Sequence, residues 1–270
     1  MRKIGINLQA KNGLAYDEYI RQMRDVGFTA TFAGCGEPAL LPSVGESCAK
    51  YGVACESLHG PFGHINDIWL PGVDGDAMLG ELKQGVDLCG VVGAGILVVH
   101  LSSGNRAPSI TDVGRGRFTD LVEYAASRKI LVAFENQRKL ANIAWAMETF
   151  DETVAGLCWD CGHENCFTPG RQYMPIFGNR ILCTHIHDNL GNYNEDLHLL
   201  PFDGTLDFDR VADSIRGSGF NGTLMLEGHA AASNRYDDIS VAEYLALAAA
   251  GVHRLRQLVD GKKEEMVCGI

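Results

Sequence analysis

Short apolar runs alternate with longer stretches of helical periodicity along the whole chain. The runs at 96–99 (Ile-Leu-Val-Val) and 130–134 (Ile-Leu-Val-Ala-Phe) are continuously apolar rather than alternating. Parallel strands covered by helices on both faces have that pattern. Runs of this kind predict strands near 3–8, 28–33, 53–59, 94–101, 130–135, 155–160, 181–188 and 223–227. Between them the spacing predicts helices near 15–26, 43–51, 76–92, 115–128, 138–149, 207–218 and 240–258, with one short helix at most in 170–178. Gly27, Gly52, Gly93, Gly95 and Gly219 each stand just before a strand, where a left-handed helix stop is expected. Eight βα units in series predict an α/β protein, a (β/α)8 TIM barrel, as one domain over 1–270 with a loose tail at 260–270.

A barrel changes the meaning of the polar residues. The C-terminal ends of barrel strands converge on one mouth, where the chemistry sits. Predicted strands 3 to 6 end at His59, His100, Glu135 and Asp160, strand 7 at His185 and His187, and strand 8 at Glu227. Any one of these alone is better read as a solvated loop carboxylate or a hydrogen-bonded histidine. Six consecutive strands delivering such groups to one face is a different matter, because acids buried together repel unless a cation offsets them.

The richest ligand set is Glu135, Asp160, His187 and Glu227. Three carboxylates and one imidazole favour a hard divalent ion such as Mn2+, with Co2+, Mg2+ or Zn2+ also fitting. One ion with open positions for substrate is the expectation. His185 shares parity with His187 and is available in its place. His163 lies just past strand 6 and reaches back over the mouth. Asp196 and His198 lie in the loop after strand 7, within reach of substrate or a further metal. Asn136 is placed to orient Glu135 or a substrate hydroxyl. His64 and His229 also fall near the mouth. Cys158 and Cys161 have a C-x-x-C spacing, but Cys158 belongs to a strand and Asp160 separates them, which argues against a thiolate site. No strong Gly-rich phosphate loop is present; Gly204 and the 228–235 segment are the candidates.

Composition narrows the partners. The 270 residues carry a net charge of −11, and no run of five like charges occurs. An acidic surface repels phosphate backbones, so nucleic acid is disfavoured. No apolar stretch reaches membrane-spanning length, and the N-terminal apolar run is too short for a signal segment. Nine cysteines, several of them in predicted strand or helix interiors, fit reduced thiols, hence a cytoplasmic location.

Taken together, His59-Gly-Pro-Phe, Val99-His100, Ala133-Phe-Glu135-Asn136, Trp159-Asp160-x-x-His163, His185-Ile-His187-Asp188-Asn189 and Leu226-Glu227 resemble the xylose-isomerase-like barrel superfamily, within it the sugar phosphate isomerase/epimerase group. Asp196-x-His198 before Pro201-Phe-Asp-Gly204, and Gly219-Phe-Asn-Gly222 before strand 8, add to the likeness. The resemblance covers nearly the whole chain. It implies one metal on Glu135, Asp160, His187 and Glu227, with Glu135 and Glu227 also moving protons on opposite faces of a small sugar-like substrate. His59, His100, His163, His185, Asp196, His198 and Asn136 would contact substrate. Proton transfer alpha to a carbonyl, through an enediolate, is the implied step, as in an isomerase or epimerase. The group also implies a homo-oligomer, dimer or tetramer.

Tyr193 stands six residues after His187, where ketose 3-epimerases of this group have an Arg, so the resemblance does not single out a free ketose. A dehydratase or lyase acting on a keto-sugar would share the same metal and first proton abstraction. The related endonuclease IV family holds three zinc ions. Its positions are filled here by His59, His100, Glu135, Asp160, His163, His187, Asp196, His198 and Glu227. Arg106, Arg115, Arg117 and Arg138 are scattered, however, and a cluster of Arg106, Arg115 and Arg138 at the mouth would be needed to favour DNA. A barrel that binds a polyol or keto-sugar without turnover is the non-enzymatic reading.

Overall fold

A computed structural model of the chain describes residues 1–9 and 14–261. Eight parallel strands form its centre: β1 (Ile4–Ile6), β2 (Ala30–Gly34), β3 (Ala54–His59), β4 (Ile96–His100), β5 (Leu131–Glu135), β6 (Ala155–Asp160), β7 (Ile181–His185) and β8 (Leu224–Leu226). The strands follow one another in chain order around the sheet, with β8 returning to pair with β1. A parallel bridge between Ile186 and Leu226 joins the β7 and β8 sides, so the sheet closes. The helices α1 (Tyr16–Asp25), α2 (Leu41–Tyr51), α3 (Val73–Val92), α4 (Asp112–Ser127), α5 (Leu140–Thr149), α6 (Cys161–Phe167), α7 (Met174–Phe177), α8 (Phe208–Ser218) and α9 (Val241–Gly261) lie between or after them. The chain is a (β/α)8 TIM barrel, as the alternation of apolar runs predicts.

The core lies mainly between strands and helices, with Trp69, Phe118, Phe134, Trp159 and Tyr244 all buried there. The barrel interior is filled by smaller sets, Ala30, Phe32 and Met225 on one side and Val98, Ala133 and Cys158 on the other. Gly52, Gly93 and Gly219 end α2, α3 and α8 in the left-handed region, with φ of 65°, 74° and 72°. That is the helix stop that their places before strands imply.

Three local expectations change. The segment 161–167, for which no helix is predicted, is helix α6, and Asp160 is its N-cap, accepting from the His163 amide. Strand β7 ends at His185, so His187 lies beyond it rather than at its tip. Strands β1 and β8 are three residues each, shorter than their apolar runs. The tail expected to be loose falls mostly at 262–270, outside the described residues. No helix among the described residues is long and apolar enough to cross a membrane.

The long β3–α3 connection is held by Arg117. This α4 residue is buried and donates to the carbonyls of Ile68 (3.0 Å), Leu70 (2.6 Å) and Gly72 (2.9 Å) and to the Asp76 carboxylate (2.7 Å). Arg117→Ala would leave those carbonyls without their donor. We expect a loss of about 2–3 kcal/mol, read as a lower urea midpoint with an unchanged slope.

Candidate active site

The strand ends bring the predicted residues together at the C-terminal mouth. Glu135, at the tip of β5, is fully buried and sits in a cradle of imidazoles. His100 Nε2 lies 2.6 Å and His59 Nε2 3.2 Å from its Oε2, and His185 Nδ1 lies 2.9 Å from its Oε1. His185 also lies 3.3 Å from Glu227 Oε2, so it stands between the two glutamates. His185 in turn stacks on Phe32, their ring centroids 4.5 Å apart.

A second group gathers beside the first. His187 Nε2 is 3.1 Å from Asp160 Oδ1 and 3.6 Å from Asp196 Oδ1. Asp196 Oδ2 takes His163 Nε2 and His198 Nε2, each at 3.1 Å. His163 Nδ1 completes the link, 3.6 Å from both Glu135 Oε1 and Asp160 Oδ2. His198 has φ +45°, unusual for a residue with a side chain. Its ring is fixed at both ends, by Asp196 and by the Glu227 carbonyl at 2.9 Å. Strained backbone of this kind persists where surrounding contacts over-determine it.

One expected substrate contact, Asn136, and one residue expected near the mouth, His64, are placed differently. Asn136 is fully buried, and both ends of its amide bond the backbone of Asp160, at 2.8 and 2.7 Å. It positions β6 rather than facing the mouth. His64 is exposed, 3.9 Å from Asp67, and does not line the cavity. His229 does line it. Of the Gly-rich candidates, the Gly204 amide donates to Asp188 Oδ2 at 2.8 Å, and the amides of His229 and Ala230 donate to the His198 carbonyl and to Gln9.

The cavity over these groups has a volume of about 680 Å³. Besides the predicted residues, Phe32, Phe62, Gln137, Arg138 and Phe167 line it. Gln137 Nε2 lies 3.3 Å from His100 Nε2 and 3.1 Å from His163 Nδ1, tying the two groups together. Phe62 is half-exposed and covers His59 and His100, at centroid distances of 5.3 and 4.7 Å. It belongs to the His59-Gly-Pro-Phe string, so position marks it; Gln137 gives no such signal. A cavity of the same volume lies on the outer face by α7 and α8, lined by Ile176, Arg210 and Ser214, among others, and it holds no cluster of ligating side chains.

The electrostatics are those of a proton-rich cluster. Burial alone would raise the Glu135 carboxyl, but His185 and His100 outweigh it and hold it well below the usual range. Glu227 is likewise lowered, burial being overcome chiefly by His185. Burial opposes charge on His163 and His198 as well. Asp160 and Asp196 still push His163 up to about 10, and Asp196 with Glu227 push His198 up to about 9. His100, dominated by burial, is lowered instead. Protonated His163 and His198 therefore stabilise the metal-free fold fully below the ordinary imidazole value of about 6.5, and that contribution is lost as pH rises through about 9 to 10. Chelator-treated protein should lose thermal stability across this window; a flat profile would contradict these pairings.

The donor set fits a divalent metal. His59, Glu135, His185 and Glu227 can each offer a ligand atom, all within 4.8 Å of one another, and so can Asp160, His187 and Glu227. Asp160 Oδ2, His187 Nε2, Asp196 Oδ1 and Glu227 Oε2 are buried and make no hydrogen bond. Buried polar atoms without partners are costly, and a cation would satisfy several at once. His163, His187, Asp196 and His198 form a further group of the same kind.

Fold and site thus define a (β/α)8 barrel with an imidazole- and carboxylate-rich mouth. A family model described as xylose isomerase-like TIM barrel matches residues 20–256, and the chain belongs to that family. A relative from Sinorhizobium fredii (strain NBRC 101917 / NGR234), "Uncharacterized protein y4fM", is 29% identical over 198 residues, covering 68% of this chain. The matched region spans 61% of that relative's length. Among solved structures, an L-ribulose 3-epimerase aligns with a TM-score of 0.77 at 17% identity, covering 100% of this chain and 99% of that one. The 3-keto-D-glucoside 4-epimerase YcjR from E. coli, in its apo form, aligns at 0.71 and 18%, covering 95% of this chain and 100% of that one. At these identities the structural likeness speaks for the fold.

Proposed function

We propose that the chain is a divalent-metal-dependent isomerase or epimerase of a small sugar or sugar-like hydroxy-carbonyl compound. The observation that carries this reading is the pair Glu135 and Glu227, two carboxylates at one mouth with His185 between them. Glu135, Asp160 and Glu227 would hold the ion with one imidazole. His187, grouped with Asp160 and Glu227, is the proposed imidazole, and His185, which reaches both glutamates, is the alternative. A bound ion, manganese by the hardness of the carboxylates, supplies Lewis-acid polarisation of the substrate carbonyl.

The side chains do the rest. One glutamate removes the proton alpha to the carbonyl and the other returns one, to the same carbon from the opposite face, inverting it, or to the former carbonyl carbon, shifting the carbonyl. Without metal, His185 and its neighbours hold both carboxyls below their usual range, and a bound cation would likewise keep them ionised and able to accept a proton at neutral pH. The half-exposed Phe62 offers an apolar face against which a sugar ring can lie. The epimerase names of structural neighbours at full-length coverage agree with this reading.

Elemental mass spectrometry on protein purified without chelators tests it, together with deuterium wash-in from D2O into a panel of ketoses. About one ion per chain and deuterium at the carbon alpha to the carbonyl support the proposal. Absence of metal even after soaking would overturn it. Tight ketose binding with no deuterium entering would point to a binding protein without turnover.

A second reading has one observation in its favour. The group His163, His187, Asp196 and His198 could hold further ions, as in the three-zinc endonucleases of this superfamily. Of the four scattered arginines, though, only Arg138 lines the cavity. Arg115 lies on α4 near Trp145, and Arg117 is taken up by loop carbonyls. The phosphate-binding arginine cluster that DNA requires is not formed by these residues. Close to three zinc per chain would reverse the preference and direct the assay to abasic DNA.

A further inference from the structure

The β5–α5 loop carries two adjacent cations into the rim of the cavity, and they meet different fates. Lys139 turns away and is bonded to the carbonyls of Ala107 and Pro108. Arg138 lines the cavity. Its guanidinium carbon lies 3.5 Å from the centre of the Phe167 ring, and its Nε donates to Asn194 Oδ1 at 2.8 Å. These two contacts fix the plane of the guanidinium. They leave Nη1 and Nη2, the pair that bridges two oxygens in a forked bond, without a hydrogen-bond partner among the described residues.

That is unlike the other inward-turned arginines. Arg117 and Arg180 direct their terminal nitrogens at carbonyls, and Arg210 and Arg216 pair with Glu164 and Asp213. No carboxylate lies within ion-pair distance of Arg138 among the described residues. Asp196, the nearest acidic influence on it, is engaged by His163 and His198. The loop is also held in place, since the Tyr173 hydroxyl donates to the Gln137 carbonyl at 3.0 Å and Asn136 bonds Asp160. The Gly204, His229 and Ala230 amides, the phosphate-loop candidates, are already bonded and do not compete for an anion.

We infer that Arg138 is the substrate's anion anchor: the compound turned over at the Glu135–Glu227 pair carries a carboxylate or phosphate, which Nη1 and Nη2 bind at the rim. The inference rests on the isomerase reading for the reacting end of the molecule. It replaces a neutral free sugar by an acidic or phosphorylated hydroxy-carbonyl compound, and it makes Arg138 a specificity determinant rather than a catalytic residue. Phe167 beneath the guanidinium keeps it flat and partly dehydrated, which strengthens a forked ion pair.

The test uses three ketoses that differ at one carbon, D-fructose, D-fructuronate and D-fructose 6-phosphate, titrated calorimetrically into metal-loaded protein. The wild type should bind one charged compound at least 10-fold more tightly than fructose, and which one tells carboxylate from phosphate. Arg138→Gln should abolish that preference, with metal content staying at the wild-type value. Arg138→Lys, which keeps the charge but not the fork, should recover only part of it. Equal binding of all three by the wild type, binding of none, or a preference that survives Arg138→Gln overturns the anchor. Deuterium wash-in separates the two claims. A preference lost in Arg138→Gln with no deuterium entering any ketose keeps the anchor and removes the isomerase. Deuterium entering fructose as fast as the charged compounds, with no binding preference, does the reverse.

Discussion

Glu135→Gln and Glu227→Gln should each lower solvent-deuterium exchange into substrate by about 100-fold or more, the usual cost of losing a general acid-base. The substitution is nearly isosteric, so it removes charge and proton capacity while keeping volume. At Glu135 the consequence goes beyond one proton. Its two oxygens are shared by His59, His100 and His185 at 3.2, 2.6 and 2.9 Å. An amide offers one acceptor oxygen and a nitrogen that only donates, so at least one imidazole must change tautomer or turn away. Glu135→Gln should therefore lose metal affinity as well as rate. At Glu227, which is less enclosed, the loss should fall more on rate measured at saturating metal. Wild-type-like exchange in either variant would contradict the assigned roles, whatever the metal content.

The difference between those two glutamates could not be read from the sequence, although their placement could. The strands are legible because covered parallel strands leave short, mostly apolar runs, continuous at 96–99 and 130–134. The ends of β3 to β6 were legible because the first polar residue after such a run marks the mouth. At β7 this signal fails. His185 and His187 have the same parity, and what separates them is where backbone pairing stops, a property of the neighbouring strands. The Asp160–His163 turn misled for a related reason. A seven-residue helix opened by Asp-Cys-Gly has too little periodicity to announce itself, yet the Asp160 cap fixes both helix and carboxylate. Asn136 follows Glu135, which suggests a contact to that carboxylate or to substrate; only the fold shows its amide bonded to the Asp160 backbone. Arg138 is the extreme case. Its position was visible, but its open Nη pair depends on every residue that could have reached it and did not.

Gly162→Ala isolates the contribution of His187 without touching any ligating side chain, and it should lower both stability and metal affinity. Gly162 lies in the first turn of α6, and a Cβ there would stand 2.1 to 2.5 Å from three atoms of the His187 ring. Two effects of opposite sign compete. Alanine is favoured over glycine in a helix by about 1 kcal/mol, whereas forcing a methyl into a packed site costs about 1–3 kcal/mol. The ring has little room to retreat. Its other face is stacked on His198 at 4.0 Å between centroids, and its Nε2 is held against Asp160 Oδ1 at 3.1 Å. The clash should therefore prevail, moving His187 away from Asp160 and loosening the carboxylate that caps α6. Displacing a group that supports a ligand typically costs about 10- to 100-fold in metal affinity. Gly116→Ala provides the control, since it lies within α4 with nothing within 4 Å of a new Cβ. That variant should gain up to about 1 kcal/mol and bind metal as the wild type does. If Gly162→Ala behaves like Gly116→Ala, His187 is free to move, and the second histidine group has no part in holding Asp160 to the ion.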